Sequence, residues 1–123
     1  MIFENESVII GYIEQIWKED ADMIRHIVMF KFLPEAEGRS KKENVKMTAD
    51  MLLALQGVVP TLKASEVHFG ADGMAESNYD LVLIADFDSK EALDEYIVHP
   101  KHKAVGQFMA PLRESRTCID YII

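Results

Sequence analysis

Cysteine is nearly absent: Cys118 stands alone in 123 residues, so no internal disulfide can form. A zinc-ligand set is not evident either, because His99 and His102 lie three apart with no third ligand in a matching place. A reducing cytoplasm is the expected compartment, and no metal and no organic cofactor are expected. Long apolar runs are missing too, and nothing approaches the roughly 18 residues that a membrane span needs. The start, MIFENESVIIGYIEQ, carries acidic residues where a secretory signal would carry positive charge. Basic residues are outnumbered 13 to 21, for a formal charge of −8. Six acids and one lysine fall in residues 1–22, which leaves residues 23–123 at net −3. Without a basic stripe to follow a phosphate backbone, nucleic acid is excluded as the expected partner. What is abundant is apolar content, 49% of the residues, which with this length indicates one globular domain.

Periodicity divides the chain. In IRHIVMFKF, residues 24–32, Ile24, His26, Val28, Phe30 and Phe32 alternate with Arg25, Ile27, Met29 and Lys31, the period of a strand. A polar loop is expected at Pro34–Arg39. From about Ser40 to Gln56 the apolar residues Val45, Thr48, Leu52 and Leu55 follow helical steps, with Gly57 and Pro60 ending the helix. Ala64–Phe69 reads as a second strand, residues 70–78 as a loose hairpin turn, and YDLVLIADF, 79–87, as a third strand. Asp88 or Ser89 is the expected N-cap of a second helix, which Pro100 breaks before a further helical stretch at about 101–113. TCIDYII closes the chain as a fourth strand.

The order is β-α-β-β-α-β with a split second helix. That predicts an α+β, ferredoxin-like fold: a four-stranded antiparallel sheet with helices on one face. The strands carry apolar residues on both faces, so the face without helices also needs cover. A second copy of the sheet supplies it, and the expected partner is a homodimer.

Three segments carry a resemblance: R-H-I-V in the first strand, Y-D-L leading to F-D-S, and Y-x-x-H-P-x-H at the split helix, followed by a closing I-D-Y. Together they resemble the stress-responsive dimeric α/β-barrel (Dabb) family from Met23 to about Ile122. The resemblance implies a homodimer with a barrel-like core over residues 23–123. One plant member of that family is a cofactor-independent polyketide cyclase, in which a tyrosine and a histidine of the Y-x-x-H-P-x-H segment do acid–base work. Another histidine, from the first strand, lines its pocket. Carried across, these fall on Tyr96, His102 and His26.

The residues alone leave several readings of that constellation open. A near-neutral imidazole can take a proton and a phenol can polarise a carbonyl, so Tyr96 and His102 are the catalytic candidates. His26, Val28, Phe30, Leu83, Tyr96 and His102 are the candidate lining of a ligand cleft between sheet and helices. In the plainer reading, His99 bonds a free carbonyl at the helix break, His102 caps the next helix, and Tyr96 is a wall residue. Arg113 and Arg116 suit an anionic ligand. His68 is expected on an exposed or dimer-facing surface, and Cys118 as a small buried hydrophobe. The leading expectation is a small-molecule binding protein, with a cofactor-independent enzyme (cyclase-like or monooxygenase-like) and a ligand-free structural protein as alternatives.

Residues 1–22 stand apart as an extension. Val8, Ile9, Tyr12, Ile13, Ile16 and Trp17 repeat at helical spacing, which suits a helix docked on the domain. A rival reading is a start-site artefact: Lys18-Glu19-Asp20 can be encoded by a ribosome-binding sequence upstream of Met23.

Overall fold

The computed structural model describes residues 22–123, so both readings of the N-terminal extension lie outside the described residues. Strand β1 runs Ile24–Phe32, and two short strands, β2 (Glu35–Ala36) and β3 (Arg39–Ser40), precede helix α1 (Lys41–Leu53). Next come β4 (Ala64–Phe69), β5 (Leu81–Phe87), α2 (Lys90–Val98), α3 (Pro100–Met109) and β6 (Arg113–Ile122). The main sheet has the order β4-β5-β1-β6 with every neighbour antiparallel. This is the split βαβ arrangement, with the three helices on one face.

Alternation in β1 and β5 sets which face is dry. Val28, Phe30 and Phe32 from β1, with Leu81, Leu83, Ala85 and Phe87 from β5, are all buried under the helices. The helices answer with Val45, Ala49 and Leu52 from α1, Leu93 and Tyr96 from α2, and Val105 and Met109 from α3. Each such side chain removed from water contributes about 1.5–3 kcal/mol before the entropy of ordering it is counted. On the opposite face Arg25 pairs bidentately with Asp86, at 2.8 and 3.0 Å, and holds that carboxyl below the usual range. Beside the pair, Ile84, Ile27 and Ile119 form an apolar row across three strands, with Ile119 60% exposed.

The helix boundaries have local causes. Ser40 accepts a bond from the Glu43 amide and Glu43 reaches back to the Ser40 amide, a capping box that starts α1 where expected. Ser89, rather than Asp88, caps α2 by accepting from the Ala92 amide. The expected 34–39 loop contains the β2–β3 hairpin, turned by Glu37 and Gly38 at positive φ. Buried Asn44 anchors it by accepting from Arg39 Nε at 2.7 Å and donating to the Ala36 carbonyl at 3.1 Å.

Two helices are shorter than their sequence patterns. Helix α1 ends at Leu53 instead of Gln56, because the chain turns there while still burying Leu55. Helix α3 ends at Met109, short of 113, and buried Leu112 belongs to the turn into β6. The closing strand therefore begins at Arg113, before the expected Thr117. The third strand likewise opens at Leu81 rather than Tyr79.

Gly70 ends β4 at a close backbone approach: its amide donates to the Asp80 carbonyl at 2.9 Å. A Cβ there would stand 2.7 Å from the Tyr79 carbonyl oxygen. Gly70→Ala is therefore expected to cost roughly 1–3 kcal/mol, since backbone must move to admit the methyl. Urea denaturation checks it, and an unchanged midpoint would contradict the close approach.

Candidate functional site

Pro100 cannot continue α2, so the helical path breaks at His99 and restarts as α3. His99 serves both ends. It follows the last turn of α2 as its C-cap, and its Nδ1 accepts from the Lys101 amide at 3.1 Å to cap α3. The expected roles of the two histidines are thus exchanged. His99 is the cap, and His102 is the one that bonds a carbonyl, donating from Nδ1 to Ile97 O at 3.1 Å. The reason is geometric: the residue before the proline is extended, with ψ 135°, the backbone an N-cap requires.

That bond fixes the His102 tautomer. A carbonyl accepts only, so Nδ1 carries the proton and Nε2 keeps its lone pair. Burial lowers the pKa of His102, which keeps the ring neutral near pH 7. Tyr96 lies against it, with ring centroids 4.4 Å apart. Its side chain is almost wholly buried, and burial pushes the phenol up to about 12, so it remains a protonated donor.

The depressed pKa has a consequence for stability. As pH falls below 6.5, the unfolded chain takes the His102 proton more readily than the folded one. Folding stability contributed by the neutral ring should decline from there to the lowered folded pKa, then level off. His102→Gln is expected to flatten this part of the profile. Urea midpoints at pH 7 and pH 5, in both proteins, check it; equal slopes would contradict it.

His26 joins the Tyr96–His102 pair through an intervening ring. It makes an edge contact with Phe87 at 6.5 Å, and Phe87 in turn packs on Tyr96 at 4.9 Å, so the rings form a row His26–Phe87–Tyr96–His102. Phe87 holds the row together and was missing from the sequence-based site; its place on the buried face of β5 was the available signal. His26 is buried and hydrogen-bonded through Nδ1 to the Asp120 carboxylate, a partner opposite it in the β1–β6 register.

Among the other expected lining residues, Val28, Phe30 and Leu83 are packed into the core. The cavity that His102 borders lies instead at the α2–α3 corner. It measures about 400 Å³ and is bounded by Ile97, Lys103, Gly106, Gln107, Ala110 and Arg113. Arg113 gives its rim a cation, whereas Arg116, the other arginine expected to face a ligand, does not line it. A second cavity of about 390 Å³ lies between α1 and the end of β4, lined by Lys41, Lys42, Lys46, Phe69 and Asp80.

His68 is exposed as expected, paired with Glu66 at 3.1 Å. Cys118 is not buried. It lies on the helix-facing side of β6, opposite Val28, but β6 is the edge strand and the helices do not cover it there, so the thiol is exposed. Among the described residues, no helix is long and apolar enough to cross a membrane.

Comparison with known proteins agrees with this architecture. The chain is 26% identical over 101 residues to the olivetolic acid cyclase of Cannabis sativa, covering 80% of this chain and 94% of the cyclase. A dimeric ferredoxin-like protein from Bacteroides fragilis superposes with a TM-score of 0.73 at 27% identity, over 82% of this chain and 96% of that one. A hydroxynitrile lyase from Passiflora edulis shares the fold, with a TM-score of 0.70 at 16% identity over 84% and 94% of the two chains. The model of the stress responsive A/B barrel domain matches residues 24–123, and the chain belongs to that family.

Proposed function

We propose that the chain forms a cytoplasmic homodimer that binds a small apolar or aromatic molecule at the α2–α3 corner, beside His102 and Tyr96. The observation that carries this reading is the ring contact between a buried tyrosine and a histidine that itself borders a cavity of about 400 Å³. The depression is shallow and open to solvent, so a ligand there would rest one face on Ile97 and Ala110 and leave the other to water or to a partner subunit. Lys103 and Arg113 on the rim favour a ligand with a carboxylate or enolate at one end. The apolar row Ile84–Ile27–Ile119 supports the homodimer, as does the dimeric description of the Bacteroides fragilis relative.

A second reading, cofactor-independent acid–base catalysis, is favoured by the His102 tautomer. With Nδ1 held by the Ile97 carbonyl, the His102 Nε2 lone pair is a neutral base, and buried Tyr96 packs against the imidazole and positions it. Relatedness to a cyclase at 26% identity supports a reaction on a small carbonyl-bearing substrate without fixing which one.

A thermal-shift screen of the full chain against phenolic, polyketide-like and fatty acids tests binding. A compound that raises the wild-type Tm, and raises that of Tyr96→Phe and His102→Ala much less, is the expected result. Ligand at 100 times Kd stabilises by about 2.7 kcal/mol, a readily measured shift. Equal shifts in all three proteins would place binding elsewhere. Turnover of the same compound, lost in both variants, would establish the catalytic reading.

A further inference from the structure

At the β6 edge of the sheet, His26, Cys118 and Asp120 bring a nitrogen, a sulfur and a carboxylate oxygen to within 4.8 Å of one another. The register makes this a fixed arrangement. His26 is opposite Asp120, and Val28 is opposite Cys118, so all three side chains leave the sheet on the same face. We propose that these three residues bind one zinc-type divalent ion, at the His26 end of the ring row that leads to Tyr96 and His102.

Bond lengths of about 2.0–2.3 Å to N, O and S around a tetrahedral ion require donors roughly 3.3–3.8 Å apart. The donors lie within 4.8 Å of one another, so binding calls for rotation of the exposed Cys118 and Asp120 side chains toward the ion. His26 is the fixed member, buried to 4% exposure and held against Phe87. Cys118 and Asp120 are exposed and able to adjust. A mixed N, S and O set suits a borderline ion such as zinc and is poorly matched to magnesium or calcium, which take oxygen alone. Three protein ligands leave a fourth position to solvent, the pattern of an open rather than a structural zinc site.

The charge and proton balance is simple. The ion takes the Nδ1 lone pair of the neutral Nε2–H tautomer of His26 and replaces the hydrogen bond between His26 and Asp120. Cys118 binds as thiolate and releases its proton to solvent. The bound ion and its two anionic ligands leave no net charge at the edge of the core. Arg116, two residues before Cys118 on the same face, is a cation that opposes binding, and its side chain reaches solvent.

Cobalt(II) is the probe. Titrated into reduced, metal-free full-length protein, it should bind once per chain and produce the near-ultraviolet charge-transfer band of a thiolate–cobalt bond, and zinc should abolish the band by displacement. Cys118→Ser should lose the band, and Asp120→Asn should weaken affinity by more than about tenfold. Because both positions are exposed, circular dichroism should show both variants folded. Absence of the band in the wild type would overturn the site, and so would a band of equal strength in Asp120→Asn, which would reduce it to adventitious binding by a thiol. Small-molecule binding by Tyr96 and His102 should persist in Cys118→Ser, so the two proposals fail separately.

Discussion

Phe87→Ala should lower stability by about 3–5 kcal/mol, the usual cost of removing a buried phenyl ring. Phe87 has no exposed surface, and among the described residues its ring joins the His26 end of the aromatic row to the Tyr96 end. Against a typical domain stability of about 5–15 kcal/mol, such a loss consumes much of the margin. The cavity should also let Tyr96 move inward and away from His102, so ligand response should fall with stability. Phe87→Leu separates the two effects. It keeps most of the apolar volume, for a cost of less than about 1.5 kcal/mol, yet removes the flat faces that position both neighbours. Urea melts of the three proteins provide the check. An alanine variant within 1 kcal/mol of wild type would mean that the row is not tightly packed.

Ile27→Asp should separate the proposed dimer. Ile27 lies at the centre of the sheet face that no described helix covers, opposite Ile84 on one side and Ile119 on the other. A second sheet packed there would bury the new carboxylate without a partner. The dissociation constant is expected to rise roughly thirtyfold or more, the effect of a hot-spot substitution of about 2 kcal/mol. Sedimentation velocity over a concentration series reads it directly. A wild-type chain that is monomeric throughout, or a variant with an unchanged constant, would contradict dimerisation through this face.

The fold was legible because its two periods are strong. Alternation in 24–32 and 79–87 fixed the dry faces of β1 and β5, and Pro100 marked the split between α2 and α3. Helix ends were less legible. Leu55 and Leu112 continue the helical spacing of the residues before them and are indeed buried, but from turns, which can bury a side chain at the same step. Burial on β6 could not be read at all from local sequence. Whether Cys118 is covered depends on how far the helices extend over an edge strand, a property of the packed layer.

Of the candidate site, the contact between Tyr96 and His102 was anticipated, while Val28, Phe30 and Leu83 are core and the connections of His26 were not legible. Tyr96 and His102 were paired through the family resemblance of the Y-x-x-H-P-x-H segment, and their rings do meet across the helix break. His26 and Asp120 are separated by 94 positions, and only the pairing of β1 with β6 joins them. The exchanged roles of His99 and His102 follow from ψ at the residue before proline, which residue type alone does not reveal.

The most direct test is a chemical-shift map. The full chain, labelled with nitrogen-15, would be titrated with whichever acid stabilises it in the thermal screen. Binding at the α2–α3 corner predicts the largest changes at Ile97, His102, Gly106 and Arg113, with the His102 side-chain nitrogens shifting alongside. Changes confined to Lys41, Lys46 and Phe69, around the cavity beside α1, would contradict it.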